Sequence, residues 1–256
     1  GKLLTCAYQG TRNSSHATLQ AARSLAESLG ATFHHWEVDD EVESYSKKVE
    51  QALGRELTWE QDDISLQNIQ ARARSPIIWM LANVKGSILL TTSNRSEGDV
   101  GYATMDGDTS GSLAPIAGLT KTFILQWLRW AETALGYKAL AAVNQLKPTA
   151  ELRPGERNQT DEADLMPYTL LEKIERHAIV MRKSPAEVYL ALRADYSDHE
   201  VLKQHIRKFY RLWSQNQWKR ERLAPSFHLD EINVDPRTWC RFPILSSGFK
   251  EELDKL

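Results

Sequence analysis

Three short apolar runs fall within the first 91 residues, each separated from the next by sequence of helical periodicity. This alternation limits the fold more than any other feature of the chain. Residues 3–8 (Leu-Leu-Thr-Cys-Ala-Tyr), 31–38 (Ala-Thr-Phe-His-His-Trp-Glu-Val) and 88–91 (Ile-Leu-Leu-Thr) read as strands. Between the first two, Leu19, Ala22, Leu25 and Leu29 recur near every 3.6 residues, the period of one helical face. Ser14 or Ser15 stands where an N-cap is needed, and Gly30 where a helix stops. Between the second and third, Asp39 or Asp40 opens a helix that reaches about Leu53. A polar connector over 58–63 and a long helix over 64–84 follow, and Pro76 is expected to kink or restart that helix. A βαβαβ order of this kind predicts an α/β protein with a doubly wound parallel sheet and right-handed crossovers.

The second half is different. After a helix over 121–135, strand signals fade. A turn at 147–152 and a polar loop over 153–162 lead into helices over 168–181, 184–195 and 199–216. Pro225, Pro236 and Pro243 keep the tail extended or irregular. The expected organisation is therefore an α/β part over 1–135 and a mainly helical part over 136–256.

A chain of 256 residues can hold one large domain or two small ones. A net charge of −2 gives no general attraction to nucleic acid, and no apolar run approaches the roughly 20 residues that span a bilayer. Nucleic acid and membrane are therefore not expected partners. No signal-peptide pattern opens the sequence, and Cys6 and Cys240 lack metal-ligand spacing, so both read as reduced thiols of a cytoplasmic protein. A strand-like run this close to Gly1 fits a short N-terminal strand, or a chain that begins partway through a larger fold.

The polar stretch 91–112 is where chemistry is expected. It follows a predicted strand, and ligands of open α/β sheets sit beyond the carboxyl ends of strands. Glu97, Asp99, Asp106 and Asp108 are clustered in it, suited either to Mg²⁺ or to a solvated acidic loop. Lys121 opens a helix, where a cation is unfavourable without an anionic neighbour; a bound phosphate and a plain surface lysine both remain open. Asn68 and Arg72 lie four apart on one helical face, as an anion contact or as surface residues with ion-pair partners. Trp218-Lys219-Arg220 sets an aromatic beside positive charge, for recognition or for packing.

Order along the chain is more specific than any one of these. Ala7-Tyr8-Gln9-Gly10-Thr11, Leu66-Gln67-Asn68-Ile69-Gln70-Ala71-Arg72, Leu90-Thr91-Thr92-Ser93-Asn94-Arg95-Ser96-Glu97, Gly101-Tyr102-Ala103-Thr104-Met105-Asp106-Gly107-Asp108 and Ala114-Pro115-Ile116-Ala117-Gly118-Leu119-Thr120-Lys121 follow one another. Pro148-Thr149-Ala150-Glu151-Leu152, the segment from Gln159 to Tyr168, and Lys219-Arg220 continue the series. In this order the segments closely resemble the synthetase domain of glutamine-dependent NAD⁺ synthetases, which are N-type ATP pyrophosphatases.

The resemblance implies a Rossmann-like fold of the adenine nucleotide alpha-hydrolase type. It implies transfer of AMP from ATP to the nicotinate carboxylate of deamido-NAD⁺, followed by attack of ammonia on the acyl-adenylate to give NAD⁺ and AMP. Carried over by motif, Thr92, Lys121 and Thr149 contact ATP, with Arg12 a weaker candidate on the adenine side. Asn68, Arg72, Glu97 and Lys219 hold deamido-NAD⁺, and Glu97 is also the candidate Mg²⁺ ligand. Asp106 and Asp108 belong to the signature loop without an assigned role. Met105 stands where ammonia-dependent relatives carry lysine, which fits the glutamine-dependent branch. The family's Ser-Gly-Gly-x-x-Asp-Ser phosphate loop is not in this sequence, nor is the nitrilase-like amidase domain with its Glu-Lys-Cys triad. These 256 residues alone are therefore expected not to turn over. Two further readings are a non-catalytic piece that folds, oligomerises or binds nucleotide weakly, and an ATP pyrophosphatase that amidates another substrate. The family also implies a homo-oligomer.

Overall fold

The computed structural model describes residues 3–155 and 160–256. It divides into two compact units, one of Gly1–Leu89 with Leu125–Asp164, the other of Leu90–Ile124 with Leu165–Leu256.

In the first unit, β1 (Thr5–Gly10) runs into α1 (His16–Ser28), which returns the chain to β2 (Thr32–Glu37). Ser15 caps α1 by accepting from the Thr18 amide, and Gly30 follows the helix end at φ 65°, a left-handed conformation that glycine adopts without cost. The strands pair in parallel, in a continuous register from Thr5 opposite Thr32 to Gly10 opposite Glu37. Helix α2 (Asp39–Leu53) begins with Asp39, Asp40 and Glu41, acidic residues that favour the positive end of the helix. It packs on α3 (Trp59–Lys85).

Helix α3 corrects two expectations. Thr58 accepts from the Gln61 amide and starts the helix inside the segment read as a connector. The single non-helical residue is Asp62, not a neighbour of Pro76. Asp62 accepts from the Thr58 amide at 3.0 Å and from both terminal nitrogens of Arg55 at 2.7 and 2.8 Å, and these bonds pull its backbone out of line. Pro76 and Arg72, four residues before it, are both exposed.

The expected third strand at 88–91 is also corrected. Among the described residues the sheet holds only β1 and β2. Leu90 makes one isolated parallel bridge to Leu113, with the Thr91 amide donating to Leu113 O at 3.0 Å, and neighbouring residues do not extend the ladder.

The second unit opens with α4 (Arg95–Val100), inside the stretch read as loop. Helix α5 (Lys121–Ala134) begins in this unit, and α6 (Leu140–Asn144) and α7 (Asp161–Asp164) belong to the first. Residues 156–159, which include Gln159 and part of the expected loop, lie outside the described residues. Helix α8 (Tyr168–Glu175) continues into a π-helical turn, Arg176–Val180. Next come α9 (Pro185–Leu192), entered through a Ser184–Glu187 capping box, and α10 (His199–Gln215), capped by Asp198. Helices α11 (Gln217–Arg220) and α12 (Lys250–Asp254) close the chain, with the proline-rich segment between them irregular as expected. Leu171, Ile174, Val188, Ile206, Phe209 and Tyr210 form the centre of this unit's core, with Val100 of α4 packed into it. Trp213 stacks on Phe249 with ring centroids 5.7 Å apart. No helix among the described residues is long and apolar enough to cross a membrane.

Candidate functional site

Helix α4 exists because of the sequence Asn94-Arg95-Ser96-Glu97. The Asn94 side chain accepts from the Glu97 amide at 3.2 Å while Glu97 Oε2 accepts from the Asn94 amide at 3.1 Å. Each side chain satisfies a backbone donor that the first helical turn leaves without a partner. Gly101, at φ 64°, ends the helix after six residues.

Each of the next residues then reaches toward the start of α5. The Arg95 amide donates to Leu119 O at 2.8 Å. Ser96 Oγ accepts from the Lys121 amide at 3.0 Å. Glu97 Oε1 accepts from Lys121 Nζ at 3.2 Å, with both side chains 18% exposed. Lys121 Nζ also lies 5.8 Å from the centre of the Tyr168 ring. The anion that a lysine at a helix N-terminus requires is thus supplied by Glu97.

The four loop carboxylates do not converge. Glu97 faces Lys121, and Asp108 Oδ2 accepts from the Thr104 amide at 2.6 Å. Asp106, at φ 62°, pairs with Arg222 at 2.6 Å in a solvent-exposed contact. The Asp108 carbonyl accepts from the hydroxyls of Thr91 and Ser93, which closes the loop on itself. Among the described residues no three His, Cys, Asp or Glu side chains are grouped to hold a metal ion. Glu97 alone supplies one carboxylate, and both its oxygens already accept hydrogen bonds. The residues present do not form a Mg²⁺ site of their own, which would need further ligands.

Asp99 turns the other way, into the protein. Its carboxyl group meets that of Glu175 on α8, and both residues are fully buried. Burial pushes Asp99 well above the ordinary carboxylate range and Glu175 up to about 7. Two adjacent carboxyls in a dry site cannot both ionise at little cost. Arg95 forms an ion pair with Glu175 at 2.6 Å, and its Nη1 donates to Gly118 O at 2.8 Å, Ile232 O at 3.0 Å and Asp230 Oδ1 at 2.9 Å. Arg220, also buried, donates from Nη1 to Asp99 O at 2.8 Å, and Gln217 Oε1 accepts from its Nη2 at 2.9 Å.

Lys219 holds the loop that leaves α4. Its Nζ donates to Gly101 O at 2.8 Å and to Ala103 O at 2.9 Å, and it stands 5.8 Å from the Trp218 ring centre. Asn216 Nδ2 donates to Val100 O at 2.8 Å. Four side chains between 216 and 222 thus grip the segment from Asp99 to Asp106. Thr92 is exposed and Met105 is buried.

The first unit carries the remaining candidates. Arg12 is fixed to Asp39, which accepts from its Nε at 3.0 Å and from its backbone amide; the guanidinium side chain is still 70% exposed. Asn68 is half-buried and Arg72 exposed on α3. Gln70 between them is buried and tied to Thr11, Asn13 and Leu152 O. Thr149 is half-buried, its hydroxyl accepting from the Glu151 amide at 3.3 Å. Glu151 in turn accepts from the Ser15 amide and the Thr18 hydroxyl at the start of α1.

Sequence reasoning gave no role to Arg95, Ser96 or Glu175, and it placed Asp99 among the loop acids and Arg220 in a basic run rather than in this buried cluster. One signal was available: an Asn followed three residues later by Glu marks a helix start. The pairing of Asp99 with Glu175 across 76 positions left no local trace.

A family model described as NAD synthase matches residues 4–223. The glutamine-dependent NAD(+) synthetase of Oryza sativa subsp. indica is 32% identical over 255 residues, covering 91% of this chain and 35% of that protein. The crystal structure of a glutamine-dependent NAD(+) synthetase from Cytophaga hutchinsonii superposes with a TM-score of 0.87 at 56% identity, over 98% of this chain and 40% of that one. NMN synthetase from Francisella tularensis, at 20% identity and a TM-score of 0.64 over 89% of this chain and 80% of that one, shares the fold. The chain thus spans about a third of the length of the curated relatives it matches. With its parallel strands, its α/β order and a match over 4–223, the chain belongs to the NAD synthase family, of the adenine nucleotide alpha-hydrolase fold type.

Proposed function

We propose that this chain is the amide-forming part of a glutamine-dependent NAD⁺ synthetase, a ligase that converts deamido-NAD⁺ to NAD⁺ with ATP. The observation that carries the reading is the Glu97–Lys121 pair at the start of α5, in a chain whose relatives bear that name. In the second unit, Lys121 would exchange its carboxylate partner for ATP phosphates, beside Thr92. Glu97, released, would approach the nicotinate end of deamido-NAD⁺, with Lys219 holding the same substrate. In the first unit, Asn68 and Arg72 would bind deamido-NAD⁺, and Thr149 and Arg12 would contact ATP. The helix start and the ammonium favour an anion, and the nicotinate carboxylate becomes an acyl-adenylate there as pyrophosphate leaves. Mg²⁺ would arrive with ATP, and Glu97 would offer it a carboxylate; no step is assigned to the ion.

Ammonia would come from a glutamine-hydrolysing, nitrilase-like domain, and the assembly would be a cytoplasmic homo-oligomer. The Ser-Gly-Gly-x-x-Asp-Ser motif is not among these 256 residues, so by themselves they would retain folding and weak nucleotide binding without turnover.

Competition binding tests the substrate class in the full-length polypeptide carrying these residues. Deamido-NAD⁺ should displace a bound nucleotide probe more effectively than xanthosine monophosphate or aspartate. An equal or reversed order would reject the assignment.

A further inference from the structure

Arg95 is assigned no contact with substrate, yet its side chain joins several parts of the second unit. Its side chain is 4% exposed. The guanidinium meets three separate stretches of chain: Glu175 of α8, Gly118 O in the turn before α5, and the 230–232 segment through Asp230 and Ile232 O. The backbone amide of the same residue holds Leu119 O. Three consecutive residues of α4 thus act on one target: Arg95 on 118 and 119, Ser96 on the Lys121 amide, Glu97 on the Lys121 ammonium.

From this geometry we infer that Arg95 is a positioning residue, which sets the Glu97–Lys121 pair by locking α4 to the turn that launches α5. The inference rests on the proposed amidation reading only for its consequence in catalysis. Its physical content is a distance. Nε of the guanidinium faces Glu175 while Nη1 faces both the turn carbonyl and the 230–232 strap, so one rigid planar group with two placed nitrogens ties the three together. An ammonium at the same place keeps the charge and cannot reach all of them. A residue that merely neutralised Glu175 would be replaceable by removing the Glu175 charge at the same time. A residue that sets geometry would not.

The test uses the full-length polypeptide carrying this chain, with its lysines converted to ¹³C-dimethyl-lysine. The Lys121 resonance is identified by its loss in Lys121→Arg. The principal variant is Arg95→Met/Glu175→Gln, which removes both buried charges; Arg95→Lys is the second, keeping charge without the fork. Melting temperature reports folding in each. The expected result is a folded variant in which the Lys121 resonance moves to the position of an unpaired lysine. In NAD⁺ formation, kcat/KM for ATP falls on the order of 100-fold, as expected for a misplacement of about 1 Å.

A folded variant with an unmoved Lys121 resonance overturns the proposal, whatever its activity. So does unfolding of both variants, which would make Arg95 a residue of stability alone. If the resonance moves but the wild-type protein forms no NAD⁺, the positioning role stands and the amidation reading fails.

Discussion

Lys121 Nζ lies 3.2 Å from Glu97 Oε1, and the backbone amide of the same lysine is held by the residue next to that glutamate, Ser96. The two ends of Lys121 are therefore fixed by one short helix. Glu97 has a double duty, since its carboxylate also completes the capping box with Asn94. Lys121→Met should leave the capping box in place and weaken ATP binding by about tenfold, the loss of one charge-assisted contact. Calorimetric titration of ATP into the full-length protein, wild type against variant, reads this directly.

Asn94→Ala removes the cap from α4 and the Asn94 Nδ2 bond to Glu97 Oε1, while the backbone amide at 94 can still donate to Glu97 Oε2. The expected cost is about 1 kcal/mol in urea unfolding. Because Glu97 also loses one of its restraints, KM for deamido-NAD⁺ should rise more than stability alone explains. Equal KM at full folding would show that the cap serves the helix only.

Glu175 gives the second unit a pH dependence with a definite sign. Burial holds its pKa at about 7, against 4.5 for an ordinary glutamate. The folded chain therefore binds this proton more tightly than the unfolded chain does. Its contribution to stability is complete below about pH 4.5 and is lost as pH rises through about 7. Glu175→Gln, which cannot lose a proton, should flatten the decline. Melting temperatures from about pH 5 to about pH 8 should converge toward the variant at low pH and separate at high pH. Parallel curves would mean that the carboxyl is ionised throughout.

Gly101 tests how tightly the 216–222 segment grips the end of α4. It sits at φ 64°, and a Cβ there would lie 2.4 Å from the Cβ of Asn216. Gly54 has the same conformation, φ 67°, with nothing within 4 Å of a Cβ. Gly54→Ala should cost about 1 kcal/mol, the left-handed penalty alone. Gly101→Ala should cost about 2–4 kcal/mol, with the clash added. Urea midpoints of the two variants separate backbone strain from packing.

Lys219 is engaged with the carbonyls of Gly101 and Ala103 rather than pointing a bare ammonium at solvent. Lys219→Met should speed amide hydrogen exchange across 101–106 and raise KM for deamido-NAD⁺. Unchanged exchange would show that other contacts hold the loop.

Much of the first unit was legible because its elements are set by local rules. Ser15, Gly30 and the acidic opening of α2 each announced a boundary that the backbone then took. Where reasoning failed, specific side-chain contacts, some local and some distant, decided the outcome. Thr58 and Arg55 moved the start of α3 and bent it at Asp62, while the backbone around Pro76 stays helical. The apolar run at 88–91 looked like a strand, but strands need partners, and only Leu90 finds one. The candidate site was legible as positions and not as pairings. Glu97 and Lys121 were singled out, but their ion pair was not. Asp99 was grouped with the loop acids, although its real neighbours are Glu175 and Arg220. Buried pairings across such separations follow from the fold, and no short motif encodes them.

The most direct test of the central claim is exchange of labelled pyrophosphate into ATP, run on the full-length polypeptide without ammonia or glutamine. If the reaction passes through an acyl-adenylate, exchange should occur only when deamido-NAD⁺ is present, and Lys121→Met should abolish it. Exchange without deamido-NAD⁺, or none in its presence from a folded protein that binds both substrates, would contradict the account.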